Sequence, residues 1–373
     1  MLRVSLILIV FATAPGCKST ECGTGTIDRN GSCEPADDTT STAKCGPFTI
    51  LQGDSCVPMF PPTQCDPAST TTDVDSSTGV ATCIGTGMGG GCNGAFACPT
   101  PASGKQTICG QLYNFADNTK FAATGATGAQ CTTPTATGPC ALQVAAFDAI
   151  TYAGAPATTP PQATGPIYID DCGRYRVPDI TPPGGPFLAL GWDDAGQMPA
   201  TAASMSGVTV TTGVAVPTGP DTKVSNFESW IVDQATVGMW TSTGGPMLSV
   251  GIYASIFRTH GCDSTGTCTG DGFANQMGVT ITKSGNPQTS NDSYFQAETG
   301  RVHIDGAASA TSINGTGLYI NASVGDGLVY SGTGGIADTA NCVWEAHAAA
   351  SIPYLVFMQV YRPINKPTKT CTQ

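Results

Sequence analysis

The 373-residue chain is poor in charge (11% Asp, Glu, Lys and Arg) and rich in Gly (47) and Pro (27). That composition suits short strands joined by turns and polar loops, an all-β protein. A net charge of −12 with only 15 Lys and Arg leaves no basic face and excludes nucleic acid as a partner. Seventeen Cys against three His, with no C-x-x-C pair, argue against zinc and for disulfides formed outside the cytoplasm, with no metal or cofactor expected.

The first segment reads as a targeting signal. Met1-Leu2-Arg3 gives a positive start, Val4 to Ala14 is almost wholly apolar, and Pro15-Gly16 follows. The stretch is too short for a stable membrane span. Ala12-Thr13-Ala14 offers a small-x-small cleavage site, but cutting there would leave Pro15 at the new N-terminus. The "APGC" sequence ending at Cys17 resembles the lipobox of bacterial lipoproteins, with Ala14 where Leu is usual. The resemblance implies a signal peptide over residues 1–16 and a lipid on Cys17. Removing Cys17 from the seventeen leaves sixteen, an even number that disulfides can use up. Three acyl chains would hold firmly, since two already anchor stably. Lys18 is not the Asp of an inner-membrane retention signal, so the outer membrane is the expected site. The alternative is an ordinary secreted protein with one unpaired thiol.

Residues 17–104 read as a Cys-rich stalk. "CGTGTIDRNGSCEP" (Cys22 to Pro35) and "CGPFTILQGDSCVP" (Cys45 to Pro58) repeat at an offset of 23 residues. Each predicts a strand, a two-residue turn (Asn30-Gly31, Gly53-Asp54) and a second strand, closed by Cys22–Cys33 or Cys45–Cys56. Each closure contributes about 3 kcal/mol in the chain-entropy model, standing in for a core that so small a module lacks. "DVDSST" (Asp73 to Thr78) alternates like a calcium loop. Thr78 replaces the needed Gly and Ile84 the closing acid, so no calcium site is expected.

Residues 105–198 carry strand texture. "ALQVAAFDAITYA" (Ala141 to Ala153) fits helical or alternating spacing. Ile167 and Ile169, then Tyr175 and Val177, alternate around Asp170-Asp171-Cys172-Gly173, and "PFLALGWDD" follows a Pro-Pro-Gly-Gly turn. These elements (Cys109-Gly110, Val144 to Ala149, Asp170 to Ile180, Pro186 to Asp194) resemble the carboxypeptidase regulatory-like, transthyretin-like β-sandwich. The resemblance implies that 141–153 is strand. It implies roles in folding for Gly173, Tyr175 and Val177. Related sandwiches bind sugars, and Trp192 is the candidate stacking residue. Fold alone cannot choose between binding and passive packing.

Residues 199–246 read as a linker, with helical spacing plausible over Asn226 to Trp240. Residues 247–373 read as a second β-sandwich. Its strand from Tyr354 to Tyr361 is apolar on both faces and therefore central. Sequence proximity suggests the pairs Cys65–Cys83, Cys92–Cys98, Cys131–Cys140, Cys262–Cys268 and Cys342–Cys371, with Cys109–Cys172 by elimination. The expected architecture is a disulfide-stapled stalk followed by one or two transthyretin-like, carbohydrate-binding-like sandwiches. The long Thr-, Gly- and Cys-rich style resembles lipoproteins of myxobacteria.

No G-x-S-x-G, H-E-x-x-H or P-loop occurs. His303-x-Asp305 and Glu345-x-His347 would each share a strand face, where a solvated or core-edge His is the plainer reading. The expectation is a non-enzymatic, membrane-anchored surface lipoprotein of the cell envelope, a structural, adhesion or binding module. Its partner would be a polysaccharide or protein. A carbohydrate-binding lipoprotein and a secreted hydrolase are the alternatives. Non-reducing peptide mapping should recover Cys22 joined to Cys33. Any other partner for Cys22 overturns the hairpin staple.

Overall fold

A computed structural model describes residues 97–120, 143–155, 159–162, 167–170, 172–193, 209–262, 268–288, 290–323, 329–335 and 342–365. It also describes the backbone of seven strands before residue 97. These are β1 (Thr26–Arg29), β2 (Ser32–Pro35), β3 (Thr49–Gln52), β4 (Ser55–Pro58), β5 (Gln64–Cys65), β6 (Thr70–Val74) and β7 (Ala81–Gly85). β1 pairs with β2 and β3 with β4, both antiparallel, as the repeat predicts; the expected turn residues Asn30-Gly31 and Gly53-Asp54 lie outside the described residues.

β8 (Gln106–Asn114) and β9 (Gln143–Asp148) follow. The strand expected through residue 153 stops at Asp148, whose Oδ1 accepts from the N–H groups of Ile150 and Thr151, both at 3.0 Å. This cap starts the short helix α1 (Ala149–Gly154). Then come β10 (Tyr168–Ile169), β11 (Arg174–Ile180), β12 (Phe187–Asp193), β13 (Thr209–Pro217) and β14 (Thr222–Asp233). Asp233 caps α2 (Gln234–Ser242) by accepting from the Thr236 N–H at 2.5 Å. The helix expected from Asn226 therefore starts eight residues later, after the second half of a strand.

The remaining strands are β15 (Ile252–Cys262), β16 (Cys268–Asn275), β17 (Val279–Lys283), β18 (Asn286–Pro287), β19 (Asp292–Phe295), β20 (Ile304–Asp305) and β21 (Thr316–Tyr319). They end with β22 (Tyr330–Gly334), β23 (Cys342–Trp344), β24 (Leu355–Tyr361) and β25 (Pro363–Asn365).

Fourteen of the described strands join by continuous hydrogen bonding. One arm runs β5-β10-β11-β8-β14, with β8 and β14 parallel. The other runs β9-β12-β13-β24-β15-β21-β19-β20, with β16 branching from β15 and β24 parallel to both neighbours. The arms meet at the start of β13, where Thr209 and Val210 pair with Asp233 and Val232. There the chain folds the first arm over the second. Ile108, Leu112, Tyr175 and Val177 of the first arm pack on Val144, Leu188, Leu190, Trp192 and Val216 of the second. Further along, Trp230, Val232 and Trp240 pack on Ile252, Ala254, Ile256, Val356 and Met358.

The opposite face of the second arm is covered as well. Tyr253, Phe257, Phe357 and Tyr361 pack under Val279, Ile281 and Tyr330 of the β17–β22 sheet and under Trp344, Ala349, Ala350 and Ile352. The body is thus three β layers with the long sheet in the middle. Strands buried on both faces read as nearly continuous apolar runs, which is why "VAAF", "FLAL" and "LVFM" carry no clear alternation.

This arrangement corrects the division into two sandwiches separated by a linker over 199–246. β13 lies within that span and is bonded to β12 on one side and β24 on the other, so residues before and after it share one sheet. Its Thr and Gly residues, which read as loop, are suited to this position. Thr212 Oγ1 donates to the Trp230 carbonyl at 2.8 Å, and a Cβ at Gly213 would sit 3.0 Å from the Phe357 ring.

The expected stalk boundary at 104 is also displaced, because residues 97–104 are bound to the body. Ala102 N–H donates to Asp179 Oδ1 at 2.8 Å and Gly104 N–H to Asp221 Oδ1 at 2.6 Å. Cys98 is joined to Cys109 of β8. The expected pairs Cys92–Cys98 and Cys109–Cys172 are therefore wrong. Cys172 is in a disulfide too, with a cysteine whose side chain lies outside the described residues. Sequence proximity misled here because the folded sheet sets which thiols meet. Cys17, Cys22, Cys45, Cys92, Cys131, Cys140, Cys371 and the side chains of Cys33, Cys56, Cys65, Cys83, Cys262, Cys268 and Cys342 lie outside the described residues.

Gly110 shows how tightly the first arm is built. It lies opposite Phe227 in the β8–β14 ladder, and a Cβ there would fall 1.7 Å from the Phe227 carbonyl oxygen. Gly110→Ala should destabilise the protein by roughly 2–4 kcal/mol in urea unfolding, because backbone on the neighbouring strand must move. Gly184→Ala, with nothing within 4 Å of the new Cβ, should change stability by under about 0.5 kcal/mol.

Candidate functional site

The β10–β11 hairpin is the most specific element of the sequence, and its chemistry is local. Ile169 lies opposite Tyr175, and Gly173 turns the chain at φ 75°. The Asp170 carboxylate is fully buried beneath the turn. Its Oδ1 accepts from the N–H groups of Cys172 at 3.0 Å and Arg174 at 2.8 Å, and its Oδ2 pairs with Arg174 Nε at 2.6 Å. Short, charge-assisted bonds of this kind hold a turn in one shape. On β11, the Tyr175 hydroxyl reaches Ser229 Oγ at 2.8 Å and the Phe227 carbonyl at 3.1 Å, tying β11 to β14 across β8.

Trp192 lies in this core. It is completely buried, edge-on to Tyr175 with ring centroids 4.9 Å apart. A Trp that stacks on a sugar ring must present a face to solvent, so the assignment of Trp192 as a ligand platform is corrected to a packing role. Burying such a ring contributes on the order of 2–3 kcal/mol.

Two of the three histidines, His303 and His347, are also engaged. His303 Nδ1 lies 3.1 Å from Glu298 Oε2, and Asp305, the partner suggested by spacing, instead accepts from the Ala307 N–H. His347 Nε2 lies 3.4 Å from Glu345 Oε2, and its ring packs between Phe187 and Tyr361. Partial burial pushes the Glu345 carboxyl up. The His347 side chain and the Arg362 N–H outweigh that and hold it below the ordinary carboxylate range.

Sequence reasoning missed a buried phenol cluster beneath His347. Tyr253, Gln359 and Tyr361 converge there, with the Tyr253 hydroxyl bonded to Tyr361 and donating to Gln359 Oε1 at 3.0 Å. Alternation within "IYASIF" and "MQVY" places Tyr253 and Ser255, and Gln359 and Tyr361, on one face, and that was the available signal. Beside Gln359, an apolar cleft between α1 and residues 348–352 is lined by Tyr152, Phe187 and several Ala. Its cavity of about 20 Å³ has room for roughly one water, far below a small-molecule site. Among the described residues, no group of three or more His, Cys, Asp or Glu is placed to hold a metal ion. No described helix is long and apolar enough to cross a membrane.

No protein-family model matches the chain, the carboxypeptidase regulatory-like family included, and no curated protein matches it. Two solved structures of the shaft pilin SpaA from Lactobacillus rhamnosus GG align with 71% of it. The double mutant does so at 9% identity over 99% of its own chain, and a single mutant at 11% over all of its own. The TM-scores are 0.18 and 0.16, too low to carry any argument about fold or function.

Burial raises the pKa of Tyr175, Tyr253, Tyr294 and Tyr361 above that of a free phenol. A group whose folded pKa is raised contributes its stability in full below the unfolded value near 10 and loses it as pH climbs past that value. In an alkaline titration followed by phenolate absorbance, these four of the ten Tyr should stay protonated until the protein unfolds cooperatively above about pH 10. Ten phenols titrating smoothly near pH 10 in folded protein would contradict this.

Proposed function

We propose that this protein is a lipoprotein of the cell envelope, held at the outer membrane through a lipid on Cys17. Its layered β body then serves as a structural or adhesion module that binds a surface protein or polysaccharide and has no catalytic role. The single observation that favours this reading is the use made of the residues singled out for chemistry. Trp192 is core, His303 and His347 are paired with Glu298 and Glu345, and Asp305 accepts from a neighbouring backbone N–H. The anchor rests on Gly16-Cys17 and on the even number of cysteines left without Cys17.

Metabolic labelling with a palmitate analogue should mark the protein in the outer-membrane fraction, and the label should disappear in Cys17→Ser. Wild-type protein released unlabelled into the medium refutes the anchor. Cells carrying the wild type should be retained on protein- or polysaccharide-coated surfaces more than cells lacking it. Equal retention refutes the adhesion role.

A further inference from the structure

The cleft between α1 and residues 348–352 is too small for a whole ligand, yet it holds an unused donor. Tyr152, Ala349 and Phe357, all buried, form its depth. The exposed Ile150 and the half-buried Phe187 form its mouth. No charged residue lines it. One buried polar side chain does, that of Gln359, which is 2% exposed. Its Oε1 is taken by the Tyr253 hydroxyl, which donates at 3.0 Å. Its Nε2 donates to no described group and, unlike the core atom Trp192 Nε1, keeps accessible surface, which opens on the cleft.

Buried amide donors are paired in nearly all native structures. A donor left over beside empty space calls for an acceptor from outside. Water would meet the donor but gains nothing from the apolar wall around it. The cavity of about 20 Å³ takes one group of roughly water's size, which is also the room a methyl needs. A ligand that fills it therefore brings a methyl and a carbonyl oxygen very close together. An acetyl group does so, with both on one carbon. An alanine in a peptide sets them on different carbons and brings a backbone that so narrow a cleft does not admit.

We infer that the cleft is a subsite for the acetyl group of an N-acetylated amino sugar in a surface polysaccharide. The methyl enters among Ala349, Tyr152 and Phe357, and the carbonyl oxygen accepts from Gln359 Nε2. The sugar ring stays outside, at the mouth beside Phe187. On the reading of the body as a surface-binding module, on which this rests, the cleft names the class of polysaccharide bound.

Calorimetric titration of the full chain, with its disulfides intact, compares the trimer of N-acetylglucosamine with the equally linked trimer of glucose. The acetylated trimer should bind about ten- to a hundredfold tighter, the usual worth of a small apolar group in a fitted pocket. Ala153→Leu, which narrows the cleft from the α1 side, and Gln359→Met, which removes the donor, should each abolish that preference. Equal affinity for the two trimers, no binding of either, or an unchanged preference in both variants overturns the subsite. So does tighter binding of a peptide carrying N-acetyl-lysine, which would make the partner a protein. If the variants do not fold, the two trimers on the wild type decide. Cell retention separates this outcome from the adhesion role. Retention that depends on the protein but is unaffected by soluble acetylated trimer leaves adhesion standing and overturns the subsite. Retention that does not depend on the protein refutes adhesion, whatever the trimers do.

Discussion

The structure depends on burying both faces of one sheet. β13 and β24 lie side by side and parallel at its middle, with a layer above and a layer below. Parallel strands cannot be joined by a tight turn, and both faces must be covered before such a sheet is stable. The chain meets both conditions by leaving β13 for the opposite arm and returning to β24 after more than a hundred residues. The other layers follow from that need. The first arm folds over one face through the β13–β14 corner, and β17–β22 with residues 344–352 covers the other.

Polar groups inside this stack hold its layers in register. Thr212 bonds from β13 to β14, Tyr175 from β11 to β14, and Tyr253 from β15 to Gln359 on β24. Each links strands or layers that apolar contact alone would allow to slide, and buried polar groups tolerate few other positions. The Cys98–Cys109 disulfide and the carboxylates of Asp179 and Asp221 act likewise at the edge, binding residues 97–104 to the first arm. The approach to the body from the N-terminal side is therefore stapled down and is not a free hinge.

Features set over a short range of sequence are legible in it, and those set over a long range are not. The β1–β2 pairing, the turn between β10 and β11 and the all-β texture are legible because turn geometry and strand pairing at short separation depend on a few adjacent residues. Tyr354 to Tyr361 is legible as a central strand because only a doubly buried strand is apolar on both faces. Trp192 could be read either way, since a Trp near a strand end looks the same from sequence whether it lids a core or faces a ligand.

By itself the sequence determined the acidic, cysteine-rich, all-β character, the short-range strand pairings and several core strands. Only the tertiary structure decided that β13 joins what looked like two domains and that Cys98 meets Cys109. The reason is physical. Turn and strand propensities act over a few residues. Strand order, thiol proximity and the pairing of buried charge depend on which distant segments the hydrophobic layers bring together, and no local pattern in a Thr- and Gly-rich chain records that choice.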